Sequence, residues 1–156
     1  MSDPIDPRPR KRAAATMLFT DRAGRVLVVK PTYKSGWELP GGAVEDAESP
    51  RAAATREVAE ELSIDRAAGA LLALDYVPAK GERTEGLIVV FDGGTIDDPA
   101  CLRLPPEELS DWAFVDPARL GDYLPPRKVR RARAGLRACN CSGRCAGSVA
   151  VGGEQA

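Results

Sequence analysis

Apolar and polar positions divide this chain into short elements. Residues 13–20 and 25–30 are brief apolar runs separated by Asp21-Arg22-Ala23-Gly24, which predicts a strand pair joined by a glycine-containing turn. Residues 31–36 read as a polar loop. Trp37, expected as a core or wall residue, and Leu39 lead into Leu39-Pro40-Gly41-Gly42, read as a tight turn whose two glycines permit positive φ and close backbone approach. Residues 51–62 hold no Gly or Pro, are rich in Ala, Arg and Glu, and repeat Ala54, Val58 and Leu62 every four positions, so they predict a helix. Ser49 suits its N-cap and Pro50 its first turn. Residues 70–77 and 87–91 predict two more strands around a polar connector, residues 92–104 a loop, and residues 112–115 a last strand. Residues 126–138 predict a terminal helix with Val129, Ala132 and Leu136 inward. Strands, one helix, more strands and a final helix place the chain in the α/β class.

The first helix carries the candidate chemistry. Glu57, Glu60 and Glu61 stand at i, i+3 and i+4, which brings three carboxylates onto one face, one turn apart. Like charges this close repel, and one pKa rises unless a cation sits among them. A hard divalent ion with oxygen ligands, above all Mg²⁺, is the natural counter-charge, with Mn²⁺ as a substitute. The same spacing also describes an ordinary amphipathic helix with a solvated glutamate face.

Composition narrows the chemistry. The 156 residues contain no histidine, which removes Ser-His and Cys-His nucleophiles, His-ligated zinc and histidine phosphoryl relays. A general base must therefore be a carboxylate, or failing that Tyr, Lys or Cys. Net charge is only −1, but its distribution is uneven. Residues 45–61 carry six acids against two arginines, whereas residues 127–137 carry six bases and no acid. The basic run is expected to be the solvated face of a packed helix, because it lacks aromatic residues to stack bases. With 44% apolar and 29% charged residues, the chain reads as one ordinary soluble domain. No run has the length of a membrane span and no signal-like stretch is seen, so a cytoplasmic location is expected.

The lead-in to the helix is more specific. Gly42, Glu48, Arg56, Glu57, Val58, Glu60, Glu61 and Ile64 stand at the fixed positions of the Nudix box, so the chain resembles the Nudix hydrolase family. The one departure is Ser63, where the family has a glycine. That glycine takes a left-handed conformation after the helix, and serine there costs ~1 kcal/mol. The resemblance implies a Nudix-like α/β/α sandwich with a mixed central sheet. It implies an enzyme that cleaves a pyrophosphate linkage in a nucleoside diphosphate derivative, such as a nucleoside triphosphate or ADP-ribose. Metal ligation falls to Glu57 and Glu61, with Glu60 assisting and backbone groups of Gly41 and Gly42 offered to metal or substrate. Arg56 is expected to hold Glu48 in a charge-assisted pair, fixing the loop against the helix. Many relatives carry a glutamate before an aromatic strand like that at Trp112, which makes Glu108, with Glu107 as substitute, a candidate catalytic base alongside Glu60.

Other assignments rest on position. Lys30, Tyr33 and Lys34 are candidates to meet phosphate or base, although a solvated loop is the plainer reading of each. Residues 1–12 are basic and proline-rich and are expected to be a disordered lead, with residues 13–138 as the catalytic domain. Residues 139–156 are expected to be a disordered, reduced Cys/Gly-rich tail. Cys139, Cys141 and Cys145 lack the neighbouring fourth ligand of a closed zinc site. A small nucleotide is the expected partner, nucleic acid and membrane are not, and a homodimer is compatible with the chain. The rival readings are a nucleotide-binding regulatory module that does not cleave and a nucleic-acid binder using residues 127–137.

Overall fold

The strand β1 (Arg12–Thr20) is buried on both sides from Ala15 to Thr20, the pattern of a strand with a layer packed on each face. Ala15, Met17 and Phe19 point to one face and Leu18 to the other, as the two-residue period of a strand requires. In this computed structural model, which describes residues 8–143, β1 runs parallel to β5 (Gly86–Thr95), from Arg12 opposite Gly86 to Thr20 opposite Thr95. β4 (Leu71–Val77) pairs antiparallel on the far side of β5. β2 (Val26–Pro31) pairs antiparallel with β6 (Leu109–Val115). The order is β4-β5-β1-β2-β6, with β3 (Gly41–Ala43) added to β1, so the sheet is mixed.

Two helices cover it. α1 (Pro50–Leu62) lays Ala53, Ala54, Val58 and Leu62 against Ala15, Met17, Phe19, Leu27, Val29 and Phe91. α2 (Pro126–Cys141) lays Val129, Ala132 and Leu136 against Leu18, Val26, Val28, Val90 and Val115 on the other face. The result is the expected α/β/α sandwich. α1 starts where its sequence says it should: Pro50 sits in the first turn and Ser49 Oγ accepts from Ala52 N at 3.1 Å. It ends with Ser63 at φ 56°, ψ 35°, the left-handed conformation the family's glycine would take, and Ser63 Oγ donates to Arg103 O at 3.3 Å.

Four boundaries differ from expectation. Gly41-Gly42 is no tight turn but the start of β3, because the chain straightens after Pro40 to pair with β1 at Ala14–Thr16. Gly93-Gly94 lies inside β5 rather than in a loop. A Cβ on Gly93 would come within 2.7 Å of the Phe19 ring, and Gly94 at φ 77° follows the register shift opposite Leu18 and Phe19. β6 begins at Leu109, since pairing with β2 extends to Pro31 across a second register shift. α2 continues to Cys141, carrying Cys139 into the core. The remainder of the tail and most of the proline-rich lead lie outside the described residues.

Candidate active site

β1 and β2 meet only at their turn, where Thr20 pairs with Val26. The segment after β2 fills the space between them. Glu38 exchanges both backbone hydrogen bonds with Val29, at 2.8 and 2.9 Å, and Met17 N donates to Pro40 O at 3.0 Å. Gly41 then enters the sheet at φ 141°, and a Cβ on it would lie 2.2 Å from Ala15 O. Only glycine fits so tight a backbone approach in that conformation. A Cβ on Gly42 would fall 2.5 Å from the Glu57 carboxylate. Two glycines thus let α1 press its acidic face directly onto β3.

The carboxylates on that face have different surroundings. Glu61 is only 4% exposed, and its Oε2 accepts from Gly41 N at 2.9 Å. Every buried side-chain oxygen among the described residues has a partner, so Oε1, which has none, reaches the surface. Burial, with Glu57, Glu38 and Glu108 nearby, pushes the Glu61 carboxyl up to about 8, although the Gly41 amide opposes this. Glu57 is half-buried and also raised, chiefly by burial, with Arg56 opposing and Glu60 and Glu108 adding. Glu60 is outermost.

Arg56 ties these acids to the preceding loop. Its Nε and Nη2 donate to the two oxygens of Glu48 at 2.8 and 3.0 Å, a bidentate pair. Nη2 also reaches Ala43 O at 3.2 Å, while Nη1 reaches Glu57 Oε1 at 3.0 Å and Glu60 Oε2 at 3.2 Å. The guanidinium, helped by Glu45 N, draws Glu48 down to about 2. Glu57 Oε2, Glu60 Oε1 and Glu61 Oε1 are left without a hydrogen bond among the described residues.

Glu108 lies within electrostatic reach of Glu57 and Glu61. Its segment is fastened to the loop after β2: Thr32 N donates to Glu108 O at 2.9 Å and Thr32 Oγ1 to Glu107 O at 2.6 Å. Tyr33, 70% exposed, senses Glu57 and Glu61, and Lys34 Nζ sits 5.3 Å above its ring. Lys30 Nζ lies over Trp37, 6.0 Å from the ring centroid, and Trp37 meets Tyr123 edge-on at 5.2 Å. Two residues escaped the sequence reading. Glu38 faces Glu61 electrostatically, and Lys128 reaches over from α2 to bond it. Glu38 stands three residues before Gly41, which was its one available signal; Lys128 is indistinguishable from the other bases of its helix.

A family model described as the NUDIX domain matches residues 10–139. The chain belongs to the Nudix family. An RNA pyrophosphohydrolase of Novosphingobium aromaticivorans is 29% identical over 156 aligned residues, covering 83% of this chain and 92% of the relative. A human diphosphoinositol polyphosphate phosphohydrolase 3-alpha is 41% identical over 69 residues, 43% of this chain and 42% of the relative. Among solved structures, a MutT protein from Methanosarcina mazei superposes with a TM-score of 0.68 at 22% identity, over 86% of this chain and 99% of that one. That last likeness speaks for the fold. Membership and the pyrophosphohydrolase relative identify this Nudix chain as a pyrophosphohydrolase. Among the described residues no helix is long and apolar enough to cross a membrane.

Proposed function

We propose that this Nudix enzyme hydrolyses the pyrophosphate linkage of a nucleoside diphosphate derivative, with Mg²⁺ held by Glu57 and Glu61. The carrying observation is Glu61: a nearly buried carboxylate among other acids, pinned through one oxygen to Gly41 N, with the other oxygen open. Among the described residues no three acidic or thiol side chains already converge as a cage. Mg²⁺ does not need one, since it keeps several waters and binds through one or two carboxylates plus substrate phosphates. The free oxygens of Glu57 and Glu61 match that demand in hardness and number. Mn²⁺ has the same ligand preference and is the expected substitute.

When bound, the ion neutralises charge on the diphosphate and acidifies a water. The chain does the rest by positioning. Arg56 keeps Glu57 and Glu60 turned toward β3 and locks Glu48 over the helix. Glu60, the more exposed acid, assists from the rim. Glu108, within electrostatic reach of Glu57 and Glu61, takes the proton of the attacking water in this reading. Tyr33, within electrostatic reach of Glu57 and Glu61, and Lys34 above its ring border the mouth, and the Gly42 backbone and Lys30 are the further groups proposed to meet a phosphate. The test is phosphate release from a panel of nucleoside triphosphates, ADP-ribose and RNA, the last included because of the RNA pyrophosphohydrolase relative. Glu57→Gln and Glu61→Gln are expected to lose roughly 100-fold or more of the turnover, while far-ultraviolet circular dichroism stays native. Unchanged rates would remove both residues from metal ligation.

A further inference from the structure

Lys128 belongs to α2 and Lys34 to the loop after β2, yet both ammonium groups converge on one oxygen. Glu38 Oε2 forms an ion pair with Lys34 Nζ at 2.8 Å and accepts from Lys128 Nζ at 3.3 Å. Lys128 Nζ also donates to Trp37 O at 3.2 Å. An ammonium has three donors, so one remains on Lys128 and at least two on Lys34. Two positive charges share one negative one, leaving a net positive charge in an otherwise acidic neighbourhood. Glu38 is three residues before Gly41, so its Cα lies within about 11 Å of the residue whose amide grips Glu61.

A mere tether between α2 and the sheet would need one of these lysines. The second brings unspent donors and an unbalanced charge beside the mouth of the acidic site. We infer that Lys34 and Lys128, held in place by Glu38, form an anion subsite for a phosphoryl group of the substrate that lies beyond the linkage to be cleaved. The inference rests on the proposed hydrolytic function for the location of the cleaved linkage. The subsite's phosphoryl group belongs to the part of the substrate directed toward α2, away from the α1 carboxylates. Trp37, whose backbone oxygen accepts from Lys128, packs edge-on against Tyr123.

The experiment measures binding of bis(phosphonomethyl)phosphinate, whose two P–C–P linkages resist hydrolysis and which keeps a third phosphorus group beyond one of them, to the full chain at fixed Mg²⁺. It compares the wild type with Lys128→Met, Lys128→Arg and Lys34→Met. Lys128→Met keeps an apolar stem and removes the charge; it is expected to weaken binding about tenfold, and Lys128→Arg to restore most of it. In turnover assays the same loss should appear in KM rather than kcat, whereas damage to a purely structural contact would lower thermal stability without tracking side-chain charge. Unchanged affinity in both methionine variants, or no recovery with arginine in a variant that melts like the wild type, would overturn the subsite. Glu57→Gln separates the two claims. If it abolishes turnover while Lys128→Met leaves binding intact, the metal assignment stands and the subsite falls. If Lys128→Met weakens binding while Glu57→Gln leaves turnover intact, the reverse holds.

Discussion

α1 and α2 carry charge runs of opposite sign that look equivalent in sequence, three glutamates at helical spacing on one and six bases on the other. The structure treats them differently. On α1 the charges are drawn inward: Glu61 is nearly buried, Glu57 is half-buried, and Arg56 organises four partners. On α2, Arg130, Arg133 and Arg137 face solvent around an open cleft of about 500 Å³, with Arg133 reaching only Pro117 O. Arg131 is buried against Asp75, at 2.8 Å, and Lys128 is drawn to Glu38, so the basic face is not wholly the solvated one expected. The lesson lies in what each helix meets. α1 is pressed on two glycines that bring strand and carboxylate into direct contact; the outer face of α2 borders a short 3-10 turn (Pro117–Asp122).

The sharpest way to break this contrast is to push α1 off β3. Gly42→Ala adds a methyl where the Glu57 carboxylate lies and should cost roughly 100-fold in turnover by displacing a ligand, with the fold retained. Normal activity in Gly42→Ala would show that the close contact is incidental. Next is Arg56→Lys, which keeps the charge but cannot hold Glu48 bidentately while reaching Glu57 and Glu60. Turnover should fall about tenfold and thermal stability with it, since a point charge cannot replace the fork.

How much of this was legible depends on the kind of signal. α1 and its Ser49 cap were readable, because helix period and capping chemistry are local properties; the left-handed end came only from the resemblance, and Ser63 adopts it although serine disfavours it. β3 was misread as a turn because two glycines have the same permissive backbone in either, and only the partner strand decides. Gly93-Gly94 was misread for the same reason, with Phe19 as the deciding neighbour. Among site residues, Arg56 with Glu48 followed from the resemblance to the Nudix box. Glu38 and Lys128 did not, since they are 90 residues apart and meet only through the packing of α2 on the sheet.

A smaller effect separates the helices by pH. The folded Glu61 carboxyl, raised by burial to about 8 from an ordinary value of 4.5, binds a proton more tightly than in the unfolded chain. Its favourable contribution is therefore complete below pH 4.5 and fades as pH climbs to about 8. Metal-free protein should lose several degrees of melting temperature over that range, and Glu61→Gln should flatten the profile. Glu48 works in the opposite sense: drawn down to about 2, it favours the fold above pH 4.5 and ceases to as pH drops toward 2. A wild-type profile superposable on that of Glu61→Gln would contradict the burial assigned to Glu61. The smallest effect belongs to α2. Arg133→Gln and Arg137→Gln should shift stability by no more than about 0.5 kcal/mol and leave turnover of a mononucleotide substrate unchanged, as measured by thermal melts and phosphate release.

Calorimetric titration of Mg²⁺ into the full chain and into Glu61→Gln tests most directly whether a sunken carboxylate on α1 is the seat of the ion. The wild type should bind in the absence of substrate, and the variant should bind at least about 100-fold more weakly while melting as a folded protein. Equal affinity in the two would contradict the assignment and leave Glu61 as a buried acid with no ion to hold.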